Sequence, residues 1–130
     1  MTETATDEGV TRGRGVALRV LRRVDDGAYA DRALAAEARR ADLDPRSRAQ
    51  ATRLAYGAVQ RRRTLDWLID GALDRPAALE PAVRDILRIG AYEIAFSDGV
   101  PDHAVVDQAV RQARALRGPK ARAWRTAWST

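Results

Sequence analysis

The stretch YGAVQRRRTLDWLIDGAL, residues 56–73, sets Arg61, Arg62 and Arg63 against an apolar run containing Leu65, Trp67, Leu68 and Ile69. Guanidinium groups are planar and permanently charged, so a cluster of them suits an anionic partner such as phosphate. The same cluster also suits a solvated collar between two helices, with the aliphatic stems covering apolar surface. Three neighbouring helical positions point in three directions, so at most two of these arginines face one ligand. A second basic group lies upstream, where Arg12, Arg14, Arg19, Arg22 and Arg23 are interleaved with Val16, Ala17, Val20, Leu21 and Val24.

Other chemistries find little support. The chain has no cysteine, hence no disulfide, thiolate metal site or cysteine nucleophile. His103 is the one histidine, too few for a histidine-based metal centre. It follows Pro101-Asp102 at a helix start, where Asp102 is placed to cap, and reads as a structural hydrogen-bonding residue. Asp25 and Asp26 precede the helix-ending Gly27 and carry no sign of acid–base work. No catalytic residue, metal or cofactor is therefore expected.

Charge points the same way as the arginines. The net charge is +5, and setting aside Glu3, Asp7 and Glu8 of the polar N-terminal tail raises it by three, to +8. Residues 1–11 read as a disordered acidic tail. A body this basic favours phosphate-rich partners, although GC-rich coding also inflates arginine and alanine. Neither a signal peptide nor an apolar run of the roughly 18 residues needed for a membrane span is visible, so the cytoplasm is the expected location.

The elements that must carry these residues are helical. At 130 residues, with 45% apolar and 32% charged residues, the chain suits one domain with one modest core. Val16, Ala17, Val20, Leu21 and Val24 recur at three- and four-residue steps, which predicts a basic amphipathic helix ending at Gly27. YADRALAAEARRA (29–41) predicts a second, with Leu34, Ala38 and Ala41 inward. Asp44-Pro45 is a helix start, because aspartate caps and proline fits the first turn. Residues 45–73 then read as two helices bent near Arg61–Thr64. The prolines of DRPAALEP (74–81) interrupt the helical pattern. Val83, Ile86, Leu87, Gly90 and Ile94 mark a fifth helix, whose Gly90 is expected to permit close helix contact. After the turn SDGVPD (97–102), HAVVDQAVRQARAL (103–116) predicts a sixth, with Val106, Ala109, Val110 and Ala113 inward. Trp67, Tyr92 and Tyr56 read as core residues, although Trp67 and Tyr92 also have faces on which a base can stack. The fold class expected is all-α.

In this order, YGAVQRRRTLDWLI followed by VRDILRIGAYEIAFSDGVPDHAVVDQAV resembles the NusB family of helical RNA-binding domains. RRRTLDWLI and VPDHAVVDQAV are more similar to the N-terminal domain of RsmB-type ribosomal RNA cytosine-5 methyltransferases than to stand-alone antitermination factors. The resemblance spans residues 12–122 and implies a bundle of six to seven helices. It also implies RNA contact through an arginine-rich first helix, which Arg12 and Arg14 match and to which Arg19 belongs. With Arg61, Arg62 and Arg63, these are the candidate RNA-binding residues.

Two departures qualify what carries over. An RsmB-type enzyme continues into a larger domain that binds S-adenosylmethionine and supplies catalytic cysteines, and nothing here corresponds to it. Methyl transfer is thus not assigned to this chain. Secondly, the family's final helix is replaced by RAWRTAWST, and residues 123–130 form an anomalous tail in which Trp124 and Trp128 are expected to be exposed. GC-rich codons for Arg122–Thr130, read one frame over, encode Gly-Leu-Ala-Asn-Gly-Val-Val-His, the missing family motif. A shift of frame near Lys120–Arg122 is therefore the expectation, with a loss of apolar cover that a homodimer would restore. The expected partner is RNA, foremost small-subunit ribosomal RNA. An antitermination factor working with a ribosomal protein, or a protein-interaction module whose basic face is mere surface, are the rival readings.

Overall fold

The computed structural model describes residues 9–97 and 99–116. Residues 1–8 of the acidic tail and the RAWRTAWST segment, including Trp124 and Trp128, lie outside the described residues; residues 9–11, read above as part of that tail, are instead held against the fold, with Val10 buried. Among the described residues six α-helices follow one another: α1 (Arg12–Asp25), α2 (Ala30–Ala41), α3 (Pro45–Gln60), α4 (Arg62–Ala72), α5 (Pro81–Phe96) and α6 (Asp102–Ala115). A single 3-10 turn, Pro76–Ala78, joins α4 to α5. No strand occurs among the described residues, as the periodicity predicts.

The helix ends follow local chemistry. Asp44 caps α3 by accepting a hydrogen bond from the Ser47 N–H at 3.1 Å, with Pro45 behind it in the first turn. Hydrogen bonds involving Ser47 also hold the Asp44 carboxyl below its usual range. Beyond α1, Gly27 adopts φ +104°, a left-handed conformation that favours glycine. Arg61 alone separates α3 from α4, at φ −109° and ψ 18°, so the bend falls at the first of the three arginines. Asp102 differs from expectation. It is the first residue of α6 and makes no capping hydrogen bond, Pro101 occupying the cap position, and its charge lies beside the positive end of the helix dipole.

α1 is the centre of the molecule, packed against α2, α3 and α5. Val16, Ala17, Leu18, Val20 and Leu21 meet Ala33 and Leu34 of α2, Ala51, Leu54, Ala55 and Ala58 of α3, and Ile86 and Ile89 of α5. Small residues on α2 and α3 allow these helices to approach closely around the leucines of α1. The chain entering α1 is tied down from two sides. The Thr11 N–H donates to Gln108 Oε1 at 3.0 Å, and Gln108 Nε2 donates to the Gly9 carbonyl at 2.9 Å.

Around α4, α5 and α6 the packing is different. Leu65, Ile69, Ile86, Ile89 and Val105 are buried, but Leu68, Ile94, Val106 and Val110 remain exposed. They border an apolar groove of about 430 Å³ running between the three helices. The inward direction read for Val106 and Val110 thus leads to an open groove, because no described element covers it. Trp67 is a plain correction: at 74% exposed, it stands on the outer side of α4 rather than in the core.

Candidate nucleic-acid interface

The arginines of α1 do not form the solvated basic face that their spacing suggests. Because α1 is surrounded, Arg12, Arg14, Arg22 and Arg23 each meet another helix. Arg14 is only 2% exposed and is ion-paired with the equally buried Glu93 of α5. Arg23 pairs with Glu37 of α2 at 3.1 Å, and Arg22 reaches Asp85 of α5 at 3.2 Å. Arg12, half-buried, donates to the Ala41 carbonyl and so satisfies an acceptor at the C-terminal end of α2. Arg19 is also half-buried. Arg14 is consequently withdrawn as a surface phosphate contact: an anion would have to displace Glu93 and enter the core.

A second set of charges joins α1, α4 and α5. Arg88 donates to Asp66 at 2.7 Å and to Asp85 at 2.7 Å. Arg22 bridges Asp25 and Asp85, Arg62 reaches Asp25 at 3.1 Å, and Arg84 joins Asp66 to Asp70. Arg22, Arg62, Arg84 and Arg88 thus meet Asp25, Asp66, Asp70 and Asp85, so these arginines are engaged by the protein's own carboxyl groups. Burial pushes the Asp85 carboxyl up to about 7, with the neighbouring Asp25 adding to the rise and Arg88 opposing it. At Asp66, burial also opposes ionisation, but the hydrogen bonds and charges of Arg88 and Arg84 outweigh it and hold the group below the usual carboxylate range. The pairing of Asp25 and Asp26 in sequence gave no hint of this network, since its members lie far apart along the chain.

The remaining basic surface lies along α3 and at its junction with α4. Arg61 and Arg63 are exposed, and Arg62 is exposed despite its pairing with Asp25. Along α3, Arg46 and Arg53 border a groove of about 520 Å³ that also takes in Gln50, Gln108 and Val100. Arg53 was not among the candidates drawn from sequence, although its spacing from Arg46 and Gln50, at i+7 and i+3, places all three on one helical face. Of the sequence-derived candidates, Arg61, Arg62 and Arg63 are thus brought together at the surface, while Arg12, Arg14 and Arg19 are set into the packing of α1.

Aromatic residues complete this region. The Tyr92 ring lies against Gly57, where a Cβ would overlap its ring carbons, and Tyr92 and Phe96 are stacked with centroids 6.2 Å apart and an interplanar angle of 26°. The Arg61 guanidinium sits over the Phe96 ring, 4.2 Å from its centroid. His103 is exposed at the start of α6. Among the described residues, no group of three potential metal ligands comes together, and no helix is long and apolar enough to cross a membrane.

With this arrangement in view, comparison with known proteins is decisive for the family. Residues 11–124 match the NusB family. The chain belongs to it. Its relatives include the ribosomal RNA small subunit methyltransferase B of Thermus thermophilus, 46% identical over 101 residues, which cover 78% of this chain and 25% of the relative. A putative methyltransferase of Mycobacterium tuberculosis is 38% identical over 87 residues, covering 66% of this chain and 19% of the relative. The transcription antitermination protein NusB of Halorhodospira halophila is 42% identical over 62 residues, covering 47% of this chain and 40% of the relative. The chain therefore spans about a quarter or less of the length of these methyltransferase relatives. No solved structure is a significant match.

Proposed function

We propose that this chain is a non-catalytic RNA-binding domain of the kind that presents small-subunit ribosomal RNA to an RsmB-type methyltransferase. The observation carrying this reading is the coincidence of a NusB-family helical body with exposed arginines along α3 and at its end, Arg53 on α3 and Arg61 and Arg63 at the α3–α4 junction. The methyltransferase context is favoured over stand-alone antitermination because the similarity to the Thermus methyltransferase extends over more of the chain than that to the Halorhodospira factor. Chemistry on the RNA belongs to parts of the methyltransferase relatives that this chain does not span. Its own task is to hold the RNA by its phosphates, with no cofactor of its own.

The test is fluorescence anisotropy with a labelled small-subunit ribosomal RNA fragment at several salt concentrations. For single-stranded RNA the affinity falls by about 0.7 log units per log unit of salt for each phosphate neutralised. Arg53→Ala/Arg63→Ala is expected to weaken binding and to flatten that slope. Arg14→Ala is unsuitable for this purpose, because loss of binding would reflect damage to the core. A well-folded wild type that binds no RNA would leave the protein-interaction module as the better reading.

A further inference from the structure

Phe96 is the only phenylalanine of the chain, and it is placed at the last position of α5 with 41% of its surface exposed. Burial does not account for it. Its ring is nevertheless held in place: Tyr92, seated on Gly57, stacks beside it, and Arg61 lies over it. Arg61 is itself exposed and occupies the one residue between α3 and α4, so the backbone that carries it is fixed by two helices. A guanidinium already held over a ring has less side-chain freedom to lose when a ligand stacks beside it. Along α3, Arg53 lies two turns before Arg61, about 12 Å away at 1.5 Å per residue. Groups at that separation can grip the backbone of a strand whose base rests on the stack.

Resting on the RNA-binding reading above, we infer that Phe96 and Arg61 form a base-stacking platform for one unpaired RNA base, with Arg53 holding the phosphate backbone beside it. Single-stranded nucleic acid is gripped in this way by aromatic and guanidinium faces flanked by positive charge, and the stacking contribution does not depend on which base is present. The platform therefore takes a single-stranded segment rather than a duplex, and it is tolerant of sequence at that position. The α1 arginines play no part in it.

The experiment uses a short single-stranded RNA containing one 2-aminopurine, whose fluorescence is quenched when the base stacks. Wild type should bind and quench it. Phe96→Leu keeps apolar bulk without a ring and should lower affinity about 5- to 100-fold, as expected for one lost base–aromatic stack, with an unchanged salt slope. Phe96→Trp should bind and quench as well as wild type. Arg61→Ala, at an exposed junction, tests the same stack without altering the packing of α5 and should also lose the quench. If wild type binds RNA but Phe96→Leu and Arg61→Ala bind and quench equally well, the platform is overturned and the RNA-binding reading stands. If a folded wild type binds no RNA at any salt concentration, both fall together.

Discussion

The two ends of the helical order are built differently. Around α1, α2 and α3 the apolar side chains close on one another: Leu18, Val20 and Leu54 are wholly buried, and the charges leaving α1 meet acids on α2 and α5. Around α4, α5 and α6, Ile94, Val106 and Val110 face an open groove of about 430 Å³, and Trp67 stands in solvent. The first region is held by a closed core centred on one helix. The second is fastened to it through the inner edge of α5 and the ion pairs Arg22–Asp85 and Arg62–Asp25. Apolar residues of similar type therefore carry very different weight in the two regions, and the arginines richest in apparent binding potential are committed to structure.

The sharpest way to break this picture is to remove Arg14. Arg14→Ala leaves Glu93 buried without its counter-charge, and losing one partner of a buried pair costs about 3–5 kcal/mol. Urea denaturation followed by circular dichroism should show a midpoint far below that of wild type. A variant as stable as wild type would mean that Arg14 does not hold Glu93 and would return it to the list of candidate RNA contacts.

Next in size is the contrast between the two apolar surfaces. Leu54→Ala should cost about 2–5 kcal/mol, as for a fully enclosed leucine. Val106, 53% exposed, should lose no more than about 0.5 kcal/mol on replacement by alanine. The same denaturation measurement checks both. A large loss at Val106 would show that its face of the groove is covered in solution, and the difference between the two regions would then disappear.

These cases also show what was legible in the chain. Helix number, order and boundaries followed from local signals, namely the apolar spacing, Asp44-Pro45, Gly27 and the prolines of residues 76–81. The bend at Arg61 was legible for the same reason. What failed was the assignment of faces. Arg14 and Trp67 are a matched pair of errors, a charge read as exposed that is buried and an aromatic read as buried that is exposed. Hydrophobic periodicity gives the direction of a helix face but not the number of neighbours around the helix, and α1 has enough of them to bury its basic positions too. Partners such as Glu93, 79 positions beyond Arg14, have no local signature. The Phe96–Arg61 contact is hidden for the same reason, since it joins the ends of two helices that are distant in sequence.

The junction between the two regions should respond to pH through Asp85. Its carboxyl is raised from an ordinary 3.8 to about 7, chiefly by burial and then by Asp25. The folded protein thus binds this proton more tightly than the unfolded chain, and the associated stabilisation is complete below about 3.8 and is lost as pH rises through about 7. Asp85→Asn carries no charge at any pH. The stability of wild type minus that of Asp85→Asn should therefore decline between about pH 4 and pH 7 and level off above. Asp66, held below its usual range, contributes in the opposite sense, and its stabilisation is lost only as pH falls through its lowered value. A flat difference across that interval would show that Arg22 and Arg88 keep Asp85 ionised throughout.

The smallest effect separates two glycines on packed helices. Gly90 in α5 was expected to permit close approach, yet a Cβ there would meet Val105 Cγ1 at 3.6 Å, an ordinary contact beside the open groove. Gly90→Ala should accordingly gain about 0.8–1.0 kcal/mol from helix propensity alone. Gly57 in α3 makes the real close approach. Alanine there gains the same propensity but must push the Tyr92 ring aside, and overpacking costs about 1–3 kcal/mol, so the net change should be a loss of about 1 kcal/mol. Opposite signs for the two substitutions, read from thermal melts, would confirm that contact is tight between α3 and α5 and slack towards α6. Because Tyr92 supports Phe96, Gly57→Ala should also disturb the Arg61–Phe96 stack, which makes it a structural probe of the proposed base platform from the side opposite the RNA.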